Sequence, residues 1–128
     1  MRDVIISIKP QYVKNIIAKN KRFEYRKKIF KQQVNRVYVY ASYPTKKIVG
    51  YFYFSGFLED SPENIWKKTK DLSGINKHDF FAYFEGRNLG YAINIEHFVV
   101  FDNFIDPKEK IDNFCPPQSY MYLDGEIE

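Results

Sequence analysis

The spacing of apolar residues along the chain changes between a period of two and a helical period, and these changes predict its elements. A short apolar run at residues 4–8 predicts a strand, and Pro10 ends it in a position that suits the first turn of a helix. Residues 34–41 predict another strand, which a turn at Pro44 follows. The predicted first helix carries one apolar face, formed by Tyr12, Val13, Ile16 and Ile17.

Two longer apolar runs are each interpreted as one continuous strand. Residues 47–58 contain Gly50 and Gly56, which are typical of a sheet that bends, so a curved barrel is favoured over a flat sheet. Residues 89–101 alternate throughout and place His97 in an apolar row, which indicates a structural rather than a catalytic histidine. A closing strand is expected at residues 118–123.

Two further helices are predicted between these runs from their capping residues. Ser61 is a suitable N-cap in front of Pro62, and Asn76 is a suitable N-cap for a third helix that buries Phe80 and Phe84. Together the elements predict an α+β fold, a mixed β-barrel with about three flanking helices, in one domain over residues 1–128.

Basic residues are concentrated in the first part of the chain. The net charge of the whole chain is +4, but residues 1–50 hold 13 Lys and Arg against 2 Asp and Glu, a net charge of +11. Residues 51–128 hold 7 against 14, a net charge of −7. A fold that gathers the first part on one face would present a positive surface to a phosphate-bearing partner. The acidic remainder argues against a protein that coats nucleic acid indiscriminately.

The densest basic stretch, residues 19–28, has one carboxylate, Glu24, among six basic residues. Tyr25 alternates with Glu24 and Arg26, which predicts a strand with an apolar face and a polar face. Lys21 directly precedes this strand and can reach the same space as Glu24. The alternative interpretation is a solvated surface strand whose charges compensate one another.

Other classes of chemistry receive little support from the composition. Cys115 is the single cysteine, which excludes an internal disulfide and fits a reducing, cytoplasmic compartment. With only His78 and His97 beside it, no ligand spacing for a metal is found, so neither a metal nor a cofactor is expected. No apolar run is long enough for a signal peptide or a membrane span, so no membrane partner is expected.

The order of elements and the basic stretch together resemble the ASCH domain family. Its signature G-x-K-x-x-E-x-R is similar to residues 19–26, where Lys21, Glu24 and Arg26 match and Lys19 takes the place of the glycine. Residues 40–44, 47–50, 86–93 and 116–119 are similar to further stretches of some members. The resemblance implies a PUA-like β-barrel and an association with RNA.

The resemblance also implies where a ligand would bind, in a cleft beside the first helix and the basic strand. In this interpretation the basic side chains hold phosphates, Tyr43 stacks on an unpaired base, and Glu24 or Gln118 reads a base edge. The candidate residues for RNA or nucleotide binding are Lys21, Arg22, Glu24, Arg26, Lys27, Lys28, Ser42, Tyr43, Gln118 and Ser119.

Two functions are compatible with these residues. The favoured one is an RNA- or nucleotide-binding protein, a regulator of transcription, translation or RNA processing. The alternative is a small hydrolase with Lys21 and Glu24 as its catalytic residues, either a ribonuclease or an enzyme that resembles N4-acetylcytidine amidohydrolases. The latter use a Lys and a Thr of this motif, and here Glu24 replaces that Thr, so Thr45 or an activated water would have to supply the nucleophile. In a ribonuclease, Glu24 would hold Lys21 protonated, which makes that lysine a poor base.

Overall fold

Eight strands and three α-helices form the protein, in a computed structural model that describes residues 1–128. The α+β class expected from the sequence is confirmed. In chain order the elements are β1 (Arg2–Ile8), α1 (Pro10–Ile17), β2 (Phe23–Arg26), β3 (Val34–Ala41), β4 (Lys47–Tyr53), β5 (Phe57–Asp60), α2 (Pro62–Thr69), α3 (Lys77–Tyr83), β6 (Gly90–Asn94), β7 (Val99–Ile105) and β8 (Tyr120–Tyr122), with short 3₁₀ turns at Lys70–Leu72 and Pro107–Glu109.

The strands form two separate sheets. Five strands are ordered β7-β4-β3-β1-β8, with β1 parallel to β3 and the other neighbours antiparallel. The other three are ordered β2-β6-β5 and are all antiparallel. The expected single closed barrel is therefore not formed by these ladders.

Residues with a positive φ explain why both long predicted strands are divided. The run at 47–58 breaks between β4 and β5, where Gly56 has φ +126°. The run at 89–101 breaks between β6 and β7, where His97 has φ 52°. Each break moves the chain from one sheet to the other. The prediction that His97 lies in a buried apolar row was wrong, because His97 is exposed at this bend.

The predicted helix starts are confirmed. The Ser61 hydroxyl accepts a hydrogen bond from the Asn64 amide, and the Asn76 side chain accepts one from the Asp79 amide. These bonds satisfy amides that have no partner within the helix. Phe80 and Phe84 of α3 are buried against Tyr25 of β2, so the three-stranded sheet and α3 pack together.

The main core lies between α1 and the inner faces of both sheets. Thirteen buried residues form it, contributed by β1, β3 and β4 of the larger sheet, by Val13 and Ile16 of α1, by Ile93 of β6 in the smaller sheet, and by Ile95 directly after β6. Because α1 and β2 are held by different core clusters, the space between them stays open on one side.

Candidate functional site

A cleft of about 610 Å³ opens between the start of α1, strand β2 and helix α3. Its floor is β2, its walls are the two helices, and the segment before β8 closes one end. The lining residues are Ser7, Ile8, Lys9, Gln11, Tyr12, Lys21, Glu24, Tyr25, Arg26, Ile75, Asp79, Ala82, Tyr83 and Gln118.

Three charged side chains of the basic stretch form an ion-paired network at the floor of the cleft. Arg26 Nη2 lies 2.8 Å from Glu24 Oε2, and Arg26 Nε donates a hydrogen bond of 3.1 Å to the same oxygen. Lys21 Nζ lies 3.7 Å from the other oxygen, Glu24 Oε1. Lys21, Glu24 and Arg26 are 2%, 8% and 8% exposed. This burial excludes the interpretation of a solvated surface strand, since such charges would stay in water.

Arg26 joins the floor of the cleft to two other parts of the chain. Its Nη2 donates to the carbonyl of Ser7 at 2.7 Å, and its Nη1 donates to the carbonyl of Ser119 at 3.1 Å. Together with the Nε bond to Glu24, these hydrogen bonds use three of the five guanidinium N–H groups, and Nη2 is also ion-paired with Glu24. Arg26 therefore acts mainly as a structural link between β2, β1 and the segment before β8, with the second N–H of Nη1 left for a ligand.

Lys21 is held in place by contacts on three sides. Its Nζ donates to the carbonyl of Ser73 at 2.9 Å and lies 4.7 Å and 5.5 Å from the ring centres of Tyr25 and Tyr12. Burial lowers the pKa of Lys21 below its ordinary value, and this effect outweighs the opposing influence of the Glu24 carboxylate. The expectation from the sequence included only the Glu24 carboxylate, which does raise the pKa of Lys21, and it did not include the burial that lowers this pKa.

Tyr25 fills the space beneath the network on the opposite face of β2. Its hydroxyl shares a hydrogen bond of 2.7 Å with Thr69, and burial raises the pKa of Tyr25 to about 12. Its ring packs edge-on against Phe80 at 4.8 Å. The apolar face of β2 is thus covered by α3, whereas its polar face forms the floor of the cleft.

Several polar groups at the cleft remain available to a ligand. Glu24 Oε1 has no hydrogen-bond donor of its own, because Lys21 Nζ lies beyond hydrogen-bond distance. Burial raises the pKa of Tyr12 and Tyr83, so both hydroxyls stay protonated near neutral pH. At the rim, Lys27 Nζ lies 4.7 Å from the centre of the Tyr83 ring. The cleft thus offers an acceptor at its floor and donors around it.

The structure brings together only part of the predicted site. Lys21, Glu24, Arg26 and Gln118 line the cleft, and Ser119 reaches it only through the carbonyl that Arg26 contacts. The remaining candidates lie outside the lining residues: Lys27 and Lys28 are exposed directly after the floor strand, Ser42 and the 79% exposed Tyr43 lie in the β3–β4 turn, and Arg22 lines a separate groove.

The helical walls of the cleft were missed by the sequence argument. Tyr12 was assigned to the apolar face of α1, and α3 was considered only for its buried phenylalanines. Asp79, Ala82 and Tyr83 lie on one side of α3, and their spacing of three and four residues is the signal that places them on a common helix face. Nothing in that spacing indicated that this side of α3 would face β2.

No three His, Cys, Asp or Glu side chains come together in a group that could hold a metal ion. None of the helices has the length and apolar character needed to cross a bilayer.

Comparison with known proteins finds the same similarity in the sequence and in the fold. The chain is 26% identical over 125 residues to an ASCH domain-containing ribonuclease of Zymomonas mobilis subsp. mobilis, a match that covers 95% of this chain and 84% of the relative. The crystal structure of ASCH from Zymomonas mobilis superposes with a TM-score of 0.87 at 25% identity, covering 94% of this chain and 87% of that one.

A second kind of relative matches over a shorter stretch. The large ribosomal subunit protein uL22 of Ureaplasma parvum serovar 3 is 38% identical over 61 residues, which is 48% of this chain but only 20% of that protein. No protein-family model matches the chain. The agreement in sequence and fold with the Zymomonas protein nevertheless extends over nearly the whole length, so the chain is similar to an ASCH domain protein in both respects.

Proposed function

We propose that the protein binds single-stranded RNA, with a nucleotide placed in the cleft between α1, β2 and α3. The observation that most directly supports this proposal is the Glu24 carboxylate at the floor of the cleft. It lies between two buried cations, and its Oε1 atom accepts no hydrogen bond within the protein. The Watson–Crick edges of all four RNA bases carry at least one N–H donor, which Glu24 can accept while Lys21 and the free N–H of Arg26 donate to the base.

Charges at the rim support a ligand with phosphates. Lys9 and Lys27 lie at the mouth of the cleft, and neither forms an ion pair within the protein. Arg87 approaches the same place, where its Nη2 donates to the Lys27 carbonyl at 3.1 Å. Exposed cations of this kind attract the RNA backbone without selecting a sequence, whereas the floor of the cleft contacts a base.

The relatives support the same class of ligand. One is named as a ribonuclease and another as a ribosomal protein, and both names refer to RNA-associated proteins. On this basis we assign residues 1–128 to one PUA-like RNA-binding domain. The separate five-stranded and three-stranded sheets are taken as an open variant of its barrel.

The experiment that tests RNA binding compares two double variants with the same change of charge. In Lys9→Ala, Lys27→Ala the cations at the cleft are removed; in Lys67→Ala, Lys70→Ala two exposed lysines outside the cleft are removed. Binding of a fluorescently labelled single-stranded RNA is measured by anisotropy at increasing salt. We expect the first variant to reduce the slope of log affinity against log salt by about 1.4, at roughly 0.7 per lost phosphate contact.

The control variant is expected to retain at least most of the wild-type slope and affinity. Equal slopes for wild type and Lys9→Ala, Lys27→Ala would show that RNA does not approach the cleft. A wild-type protein that binds no RNA at low salt would refute the proposed function altogether.

A ribonuclease is a second candidate, favoured by the lowered pKa of Lys21. A neutral Lys21 amine can accept the proton of a ribose 2′-hydroxyl as the 2′-oxygen attacks the adjacent phosphate. The P–O5′ bond then breaks, which leaves a 2′,3′-cyclic phosphate, and the departing 5′-oxygen takes a proton from water or from the Lys21 ammonium. Cleavage of single-stranded RNA should then increase with pH as Lys21 loses its proton, and Lys21→Met should abolish it while RNA binding persists. Binding without cleavage at any pH would leave the protein as a binding module.

The N4-acetylcytidine amidohydrolase alternative finds less support at the cleft. Ser7 is the one Ser or Thr among the lining residues, and its hydroxyl donates to the Pro117 carbonyl at 2.8 Å. Thr45 is not among the lining residues. A free Ser or Thr hydroxyl that could attack an acetyl group is thus missing from the lining.

A further inference from the structure

A second depression of about 620 Å³ lies beside the cleft, between the end of α1 and the bend that joins β6 to β7. We call it the α1–β7 groove. Lys21 lines both the groove and the cleft, so the two depressions share one wall. The groove is lined by Ile16, Ile17, Lys19, Lys21, Arg22, Ile95, Glu96, His97, Phe98, Val99 and Val100.

The groove combines unpaired cations with an exposed apolar surface. Lys19 and Arg22 are exposed and form neither a hydrogen bond nor an ion pair through their side chains, and Glu96 is the one acidic residue of the lining. Ile17 and Val100 are both 41% exposed, although residues of their type are usually buried. Cations beside an apolar floor match the phosphate and the base face of a nucleotide.

Lys19 occupies a backbone position that favours glycine. It follows the C-cap of α1 and has φ 66°, the left-handed conformation that commonly ends a helix and that glycine adopts without strain. The ASCH signature has glycine here. This chain instead carries a cationic side chain at the rim of the groove, at an energetic cost to its backbone. A strained residue with an unpaired charge points to a function of the side chain rather than to a role in folding.

We infer that the α1–β7 groove is a second RNA subsite, in which Lys19 and Arg22 hold the phosphates of nucleotides that continue from the cleft. This inference rests on the proposed RNA binding and extends it. An RNA that fills only the cleft is independent of Lys19 and Arg22, whereas a longer RNA contacts both depressions. The groove therefore sets the length of RNA that the protein prefers.

The test uses single-stranded RNAs of about 4 and about 12 nucleotides, which both lie within the usual range of site sizes. Affinity for each is measured by fluorescence anisotropy with wild type and with Lys19→Gly, Arg22→Ala. We expect the variant to bind the longer RNA about 3- to 10-fold more weakly than wild type. The slope of log affinity against log salt should fall by about 1.4 for this RNA. The affinity for the shorter RNA should stay unchanged.

The single variant Lys19→Gly is compared with the control Lys46→Gly, which also removes one charge from a residue with a positive φ, 55°, but lies at neither depression. Both Lys→Gly changes relieve backbone strain, so the melting temperature should not fall in either. Only the change at Lys19 should weaken binding of the longer RNA.

Two results would overturn the inference while leaving the proposed function intact. One is an unchanged affinity of Lys19→Gly, Arg22→Ala for the longer RNA. The other is a wild-type dimer, seen by light scattering without RNA, that Val100→Glu converts to a monomer, because the groove would then be occupied by a second copy of the chain. Failure of wild type to bind either RNA would instead refute both proposals together.

Discussion

Glu24 carries the only negative charge that neutralises both Lys21 and Arg26 at the floor of the cleft. Each of these cations is almost completely buried, so neither can recover hydration if the carboxylate is lost. At the scale of single residues, the stability of the cleft therefore depends on this one side chain more than on either cation.

We predict that Glu24→Gln lowers the free energy of unfolding by about 2–4 kcal/mol, because it leaves two buried cations without a counter-charge. Urea denaturation measures the change. The control is Glu85→Gln, at an exposed residue that forms no ion pair, which should alter stability by less than about 0.5 kcal/mol. Equal, small effects of the two changes would contradict the buried network.

Because the amine of Lys21 is buried, the free energy of unfolding should depend on pH. Its pKa in the folded protein lies below the ordinary 10.5 of the unfolded chain, so between these two values the unfolded chain binds more protons. The free energy of unfolding contributed by Lys21 should therefore rise with pH up to about 10.5 and be lowest below the folded pKa.

Lys21→Met provides the comparison, since methionine keeps a similar length without a titrating group. The difference in unfolding free energy between wild type and Lys21→Met should shift in favour of wild type as the pH increases from about 7 to about 10. A difference that stays constant over this range would show that burial does not lower the pKa of Lys21.

Strand β7 is an element whose attachment depends on a glycine. Gly50 of β4 pairs with Val100, and a Cβ at this position would collide with the Val99 carbonyl and meet the Phe98 ring at 2.9 Å. We predict that Gly50→Ala lowers the free energy of unfolding by about 2–3 kcal/mol. Gly125→Ala is the control, because a Cβ there meets nothing within 4 Å. Hydrogen exchange should show faster exchange of β7 amides only in the first variant.

Short elements with clear end signals could be predicted from the sequence, whereas the breaks within long ones could not. Ser61 and Asn76 marked the helix starts correctly, because an N-cap acts through local bonds. The division of the run at 89–101 depends on His97 adopting a positive φ, which alternating side chains do not reveal. The expectation of a closed barrel failed for the same reason, since such breaks decide which sheet a strand joins.

At the candidate site, too, the sequence could predict local features but not those that depend on tertiary packing. Lys21, Glu24 and Arg26 could be placed together because one short segment carries them. Tyr83 and Tyr12 could not, because they meet β2 only through the tertiary packing of two helices. Burial of the trio was also missed, since alternation indicates that residues share a face but not whether another element covers that face.

At the scale of the whole molecule, folding neutralises part of the basic first segment. Arg36 Nη2 lies 2.9 Å from Asp3, and its Nη1 lies 3.1 Å from Glu128 near the end of the chain. Arg2 likewise pairs with Asp124 at 2.6 Å. The expected positive surface is therefore confined to the unpaired cations. Of these, Lys9 and Lys27 lie at the cleft, and Lys19 and Arg22 lie at the α1–β7 groove.

The central claim is that RNA occupies the cleft, and a heteronuclear NMR titration of the wild-type protein with a short single-stranded RNA tests it most directly. We expect amide shifts to change in residues 9–12, 24–28, 79–83 and 118, which form the floor, walls and end of the cleft. The amides of β8 and of residues 124–128, where Arg2 and Arg36 are already paired, should stay unchanged. Shift changes confined to those outer residues, or no changes at any RNA concentration, would contradict the account.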